Sequence, residues 1–160
     1  MNEQNAKKQV KKYLSEYSAK YGASLSEMES IALRESSNDP LVGLHPDGIS
    51  YGLLGITPIV EKEFLNMTGT LADRKIIRDN VILGCWFWGY RIPQMLKYFG
   101  HRNTLRNRVI AYNAGINYVV KQTELPGTTI AYIGFMESQK KKSLTMWGAL
   151  ALFLSWTHLR

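Results

Sequence analysis

A chain of 160 residues, 45% apolar and 21% charged, is long enough for one domain with a sizeable core and too apolar for wholesale disorder. Lysine and arginine outnumber the acids 20 to 13, giving a formal net charge of +7. Such a surface attracts polyanions, whether nucleic acid, anionic lipid or acidic wall polymer, and charge alone does not choose among them.

Helical periodicity dominates the chain. The N-terminal KKQVKK is followed by YLSEYSAKY, which lacks the continuous apolar stretch of a secretory signal, so delivery outside the cytoplasm would need another route. Residues 4–21 read as an amphipathic helix with Val10, Tyr13, Leu14 and Tyr17 on one face, ended by Gly22. A second helix starts after Ser24 or Ser26, the latter with Glu29 at capping-box spacing, and takes Met28, Ile31, Ala32 and Leu33 as its apolar side. Asn38, Asp39 and Pro40 stop it, because a residue before proline is pushed out of helical geometry. Glu35 therefore falls on the last turn.

Residues 40–57 are loop-like, with glycines at 43, 48, 52 and 55, and a structureless stretch of that length tends to be functional. Pro58 opens a helix through about Leu65. A long helical run over about 73–99 carries Val81, Ile82, Leu83, Trp86, Phe87 and Trp88 and is the expected central core helix. Its single cysteine, Cys85, excludes an internal disulfide and is expected to be a buried core thiol. Helices at about 103–113, 115–122 and 128–142 follow. The last stretch, Ser143 to Leu159, contains no acid, lysine or arginine. Seventeen helical residues span about 26 Å, short of the roughly 30 Å hydrocarbon core. A terminal core helix, a marginal membrane span and an interfacial anchor all remain open; Trp147, Trp156 and Lys140 to Lys142 suit membrane contact through 143–159.

Three blocks carry chemistry: Glu35-Ser36 with Pro40; Gly48-Ile49-Ser50-Tyr51-Gly52-Leu53-Leu54-Gly55-Ile56-Thr57-Pro58; and Ala111-Tyr112-Asn113-Ala114-Gly115. With these in order, the chain over about 25–135 resembles the catalytic domain of soluble lytic transglycosylases. That family's motifs are Glu-Ser-x-x-x-Pro, a glycine-rich stretch ending in Gly-Leu-Met-Gln-Ile, and Ala-Tyr-Asn-Ala-Gly. Leu125-Pro126 with Thr129 and Tyr132 is a weaker fourth match. The resemblance implies an all-α, lysozyme-like single domain over 1–142, with a glycine-rich loop or small hairpin, followed by a C-terminal hydrophobic helix at 143–160. It implies cleavage of the bond between N-acetylmuramic acid and N-acetylglucosamine in bacterial peptidoglycan, giving 1,6-anhydro ends. Glu35 would be the single acid and base, with Ser36, Gly52, Leu53, Leu54, Tyr112, Asn113 and Tyr132 contacting the glycan and no cofactor or metal.

The chemistry of these residue types fits. A proton donor for a glycosidic oxygen must stay protonated near neutral pH, and packing against Leu53, Leu54 and Ile56 would raise the pKa of Glu35. Loop glycines let backbone approach a sugar, with free N–H groups for its acetamido groups. Tyr112 and Tyr132 offer flat faces and hydroxyls. Asn113 and Gly115 stand between structural and substrate-contacting roles.

Rival readings differ in visible ways. A hydrolytic muramidase needs a second carboxylate, for which Asp39 and Asp47 are nearest in sequence, though both have turn composition. Leu54 and Gly55 replace the family's Met-Gln, Asn38 stands where an apolar residue is common, and Thr128 replaces a frequent glutamate. A non-catalytic wall-binding virion protein would keep the fold without turnover, and a basic nucleic-acid binder lacks any recognisable reading motif. His45, His101 and His158 have no ligand spacing. The expected setting is a phage virion or the bacterial envelope, with virion or secretion-complex proteins as partners and no nucleic acid.

Overall fold

The structure is a computed structural model that describes the backbone of residues 2–157 and the side chains of residues 2–145. Among the described residues it is all-α, as expected, with isolated β-bridges in place of strands.

Helix α1 (Glu3–Tyr21) starts at Asn2, whose side-chain oxygen accepts the Asn5 N–H at 2.9 Å, and ends at left-handed Gly22. It buries Ala6, Val10, Leu14 and Tyr17, one face at helical spacing. Helix α2 (Leu25–Ser36) takes the earlier of the two expected starts, two residues before a Ser26–Glu29 capping box would begin it. Ser24 is the extended N-cap residue, and the Ser24 and Ser26 hydroxyls bond to each other at 2.9 Å. Met28, Ile31 and Ala32 form its core face, whereas Leu33 is 40% exposed: it follows Ala32 by about 100° of helix rotation, which turns it off that face. Ser37 and Asn38, both left-handed, end the helix.

Helix α3 (Pro58–Thr68) runs one turn past Leu65 to a left-handed Gly69. The long central run is present from 77 to 98 but is not uniform. It comprises α4 (Ile77–Trp86), a π-helical turn (Phe87–Arg91) and α5 (Ile92–Tyr98). Pro93 accounts for the turn. It has no N–H to donate, and its ring would clash with the carbonyl four residues back in an ordinary α-helix. The Ile92 N–H reaches back five residues to the Phe87 carbonyl, widening the helix there.

Helices α6 (Leu105–Asn113), α7 (Ile116–Lys121) and α8 (Gly127–Thr157) complete the bundle. Helix α1 packs against α4, while α2 and α6 pack against α8. The helix expected at 128–142 and the apolar stretch after it form one element, because neither proline nor a polar turn separates them. Among the described residues no helix is long and apolar enough to cross a membrane. Trp147 and Trp156, with the rest of the candidate anchor from 146 on, lie outside the residues whose side chains are described.

A network joins α2, the π turn and α6. Glu27 accepts both terminal nitrogens of Arg108, at 2.8 and 2.9 Å, and the Trp88 indole N–H at 3.0 Å, with the Arg108 guanidinium over the Trp88 ring. Gly89, in the same turn, lies where α1 ends. A Cβ there would stand 2.5 Å from the Tyr21 carbonyl oxygen and 2.7 Å from the Ala23 nitrogen, both backbone atoms that cannot swing aside. Gly89→Ala should therefore cost roughly 2–3 kcal/mol, the upper range for overpacking. Urea denaturation should show this as a lower midpoint at unchanged slope.

Candidate active site

Glu35 projects from the last turn of α2 against the loop at residues 43–57. The loop is a minimal hairpin. Tyr51 and Ile56 exchange backbone hydrogen bonds at 3.0 and 2.9 Å, His45 donates its N–H to Ser50, and Gly52 donates to Gly43. Asn80 of α4 fastens it: the side-chain amide donates to the Tyr51 and Arg74 carbonyls, and its oxygen accepts the Leu54 N–H at 2.9 Å. The loop thereby presents Gly55, in left-handed backbone at φ +58°, directly to the acid. A Cβ at Gly55 would stand 2.6 Å from the Glu35 Oε2, so the carboxyl occupies the space a side chain at 55 would need. Gly55 is thus the floor on which the acid rests, and the departure to glycine is matched by this carboxyl position.

Burial pushes the Glu35 carboxyl above the ordinary carboxylate value. Tyr132, His45 and Arg34 act in the opposite sense, in that order, and Asp47 adds a small further push upward. The Tyr132 side chain is 2% exposed; its hydroxyl lies within reach of the carboxyl, yet makes no hydrogen bond of good geometry to any described residue. It is a buried donor aimed at the acid. The Arg34 guanidinium lies over the rings of Tyr132 and Phe135, at 5.7 and 5.8 Å, and orients that wall. His45 is buried, with Nε2 2.8 Å from the Gly52 carbonyl oxygen.

Several expected contacts take other roles. Leu53 and Leu54, 2% and 0% exposed, are core residues and have no surface to offer a glycan. Gly52 is buried against Asn80 and shapes the turn. The loop N–H groups of Tyr51, Gly52, Gly55 and Ile56 are bonded within the hairpin and that of Leu54 to Asn80, so these five are not free for acetamido groups. Ser36 donates its hydroxyl to the Ala32 carbonyl of its own helix. The Tyr112 hydroxyl donates to the Leu54 carbonyl at 2.5 Å, and its ring packs edge-on against Trp88, so it braces the loop from behind. Asn113 is exposed, and its side-chain oxygen accepts the Thr129 hydroxyl at 2.7 Å, tying α6 to α8. Glu35 and Tyr132 are the two expected site residues brought together with polar groups turned toward each other. Arg34, His45 and Asn80 were not expected there. Asn80 follows Arg78 and Asp79 at the polar start of α4, so nothing in the sequence singled it out.

Asp39 and Asp47 serve turns. Asp39 accepts the Leu41 N–H, while Asp47 accepts the N–H groups of Ile49 and Ser50 and the Ser50 hydroxyl, which hold it below its ordinary value. Behind Gly55 lies a cavity of about 240 Å³, lined by Ile56, Thr57, Val60, Met95 and Tyr112, with Glu63 at its edge paired to Arg91. Cys85 is a core thiol whose pKa burial pushes up to about 12. Among the described residues no three His, Cys, Asp or Glu side chains are grouped to hold a metal ion.

The raised value has a thermodynamic consequence with a definite sign. A carboxyl whose folded pKa exceeds its unfolded one contributes stability that is present below the unfolded value and is lost as pH rises through the folded value. Glu35→Gln keeps the shape and removes the ionisation. The variant should match the wild type in melting temperature at pH 4 and exceed it at pH 8, read by differential scanning calorimetry. Equal melting temperatures at pH 8 would show that Glu35 ionises without cost.

Comparison with protein-family models, with curated proteins and with solved structures found no match to this chain.

Proposed function

We propose that this protein is a lytic transglycosylase on a lysozyme-like fold, cleaving the bond between N-acetylmuramic acid and N-acetylglucosamine in bacterial peptidoglycan. The observation that carries the reading is the buried Glu35, with raised pKa, held between Gly55 and the unpartnered Tyr132 hydroxyl. It stands beside the three sequence blocks that resemble that family.

In this mechanism the protonated Glu35 gives its proton to the bridging oxygen as the glycosidic bond breaks. The substrate's own N-acetyl group stabilises the positive charge at the anomeric carbon. Glu35, now ionised, takes the proton of the muramoyl 6-hydroxyl as that oxygen closes the 1,6-anhydro ring, which restores the acid. No water is consumed, and one carboxyl suffices. The Tyr132 hydroxyl favours the ionised intermediate form, and burial favours the protonated start, so the acid is held between its two tasks. The turn bonds of Asp39 and Asp47 support the one-carboxyl scheme over hydrolysis.

The natural setting on this reading is a virion or the cell envelope, where a wall-opening enzyme assembles with phage or secretion-complex proteins. Mass spectrometry of muropeptides released from purified peptidoglycan tests the proposal. Anhydro-muramoyl ends are expected. Reducing ends would make the protein a muramidase and return attention to Asp47, and binding without any release would make it a wall-binding scaffold.

A further inference from the structure

A cavity of about 540 Å³ lies away from Glu35, between α1, α2 and α8. Its floor is apolar, formed by Val10, Leu14 and Leu33, and Lys7, Lys11 and Lys142 stand at its rim. Its size is that of a small-ligand site. Glu29 is the one acid among the lining residues, and a second cavity of about 180 Å³ shares Ser26, Ser30, Gln139 and Ser143 with it. The two make a groove along the flank of α8. Leu33 is 40% exposed and Leu144 64% exposed, so both ends of the groove leave apolar surface uncovered. Beyond Leu144 the helix continues to Thr157 through residues that carry no charge.

We infer that this groove seats an anionic phospholipid of a bilayer surface, with the lysine ammonium groups on the headgroup phosphate and the apolar floor against the upper acyl chain. Charge and hydropathy together select this occupant. Lys7 is paired with Glu3 and Glu27 with Arg108, which leaves Lys11, Lys140 and Lys142 against Glu29 along the groove. That surplus calls for an anion, and nucleic acid or an acidic wall polymer would leave the exposed Leu33 and Leu144 uncovered, whereas a lipid supplies both halves. The inference does not depend on the wall-cleaving reading, and it adds a second, separate site to the chain.

Co-sedimentation of the full chain compares vesicles of phosphatidylcholine alone with vesicles of phosphatidylcholine and phosphatidylglycerol in equal parts. Binding is expected to the anionic vesicles alone. Each lysine at such a surface is worth about fivefold in affinity, so Lys11→Glu, Lys140→Glu and Lys142→Glu combined should weaken binding by roughly 100-fold or more. The control is the triple Lys62→Glu, Lys97→Glu and Lys121→Glu, which changes net charge equally on residues outside the groove. Equal loss in both triples would overturn the groove as the site, as would equal binding to neutral vesicles. A second readout avoids mutating charge. An environment-sensitive thiol dye on Leu33→Cys should shift to the blue on anionic vesicles, since Cys85 is too buried to be labelled. Vesicle binding with no shift at Leu33 would also overturn the proposal. Muropeptide release, measured separately without lipid, reports on Glu35 and leaves these outcomes distinct.

Discussion

Replacing Glu35 by Gln should lower muropeptide release by roughly 10³-fold while leaving affinity for glycan strands nearly unchanged. Glutamine fills the same volume over Gly55 and is neutral, like the protonated acid, so the pocket keeps its shape. What it lacks is a proton to give and a lone pair basic enough to take one back. The loss belongs in kcat, with KM within a few-fold of the wild type. Release assayed by mass spectrometry, alongside sedimentation with insoluble peptidoglycan, separates the two. Release retained at wild-type rate would remove Glu35 from the chemistry altogether.

Asn80→Ala should be the most damaging single change outside that carboxyl. Asn80 is 1% exposed and makes three hydrogen bonds, to Tyr51, Arg74 and Leu54, all to backbone. Alanine would strand two carbonyls and an N–H in the interior, at a cost on the order of 3–4 kcal/mol. For a chain of this length that is roughly a 10 °C fall in melting temperature. Asn80→Asp should do little better, since a carboxylate accepts from Leu54 but donates to neither carbonyl. Because the same side chain holds the loop that carries Gly55, activity should fall further than stability at temperatures where the variant is still folded. A variant that melts like the wild type would mean the hairpin stands without this tie.

The parts of the site legible from residue types alone were those fixed by local rules. Asn38 to Pro40 stop a helix whatever packs around them, so Glu35 had to fall at its end. Glycines and prolines over 40–57 mark a turn-rich loop for the same reason. The helical class followed from periodicity. Beyond that, the partners each side chain takes were not legible. Leu53 and Leu54 share the loop with Gly55 yet are both buried in the core, because the turn at 52–55 has no strand alternation to turn one of them outward. Tyr112 has a hydroxyl suited to a sugar, but the nearest acceptor is a carbonyl 58 residues away in sequence. Asn80 reaches 26 residues back to Leu54, and no local pattern encodes such a partner. Leu33 read as core by spacing and proved to edge a groove. The helix boundary expected near 142 followed a change of composition, which the backbone of α8 ignores.

That unbroken backbone determines how the cleft meets its surroundings. Tyr132, facing the acid, and Lys140 to Lys142 belong to one rod, and from Tyr132 to Thr157 the rod measures about 37 Å. A flexible tether would let the domain wander through a sphere; a lever of this kind sets height and pitch. Whatever grips the far end of α8 thereby aims Glu35, and on the proposed wall-cleaving reading only glycan strands crossing one narrow plane would come within reach. Inserting a short glycine linker after Ser138 would turn that lever into a leash, and a localised cut into a diffuse one.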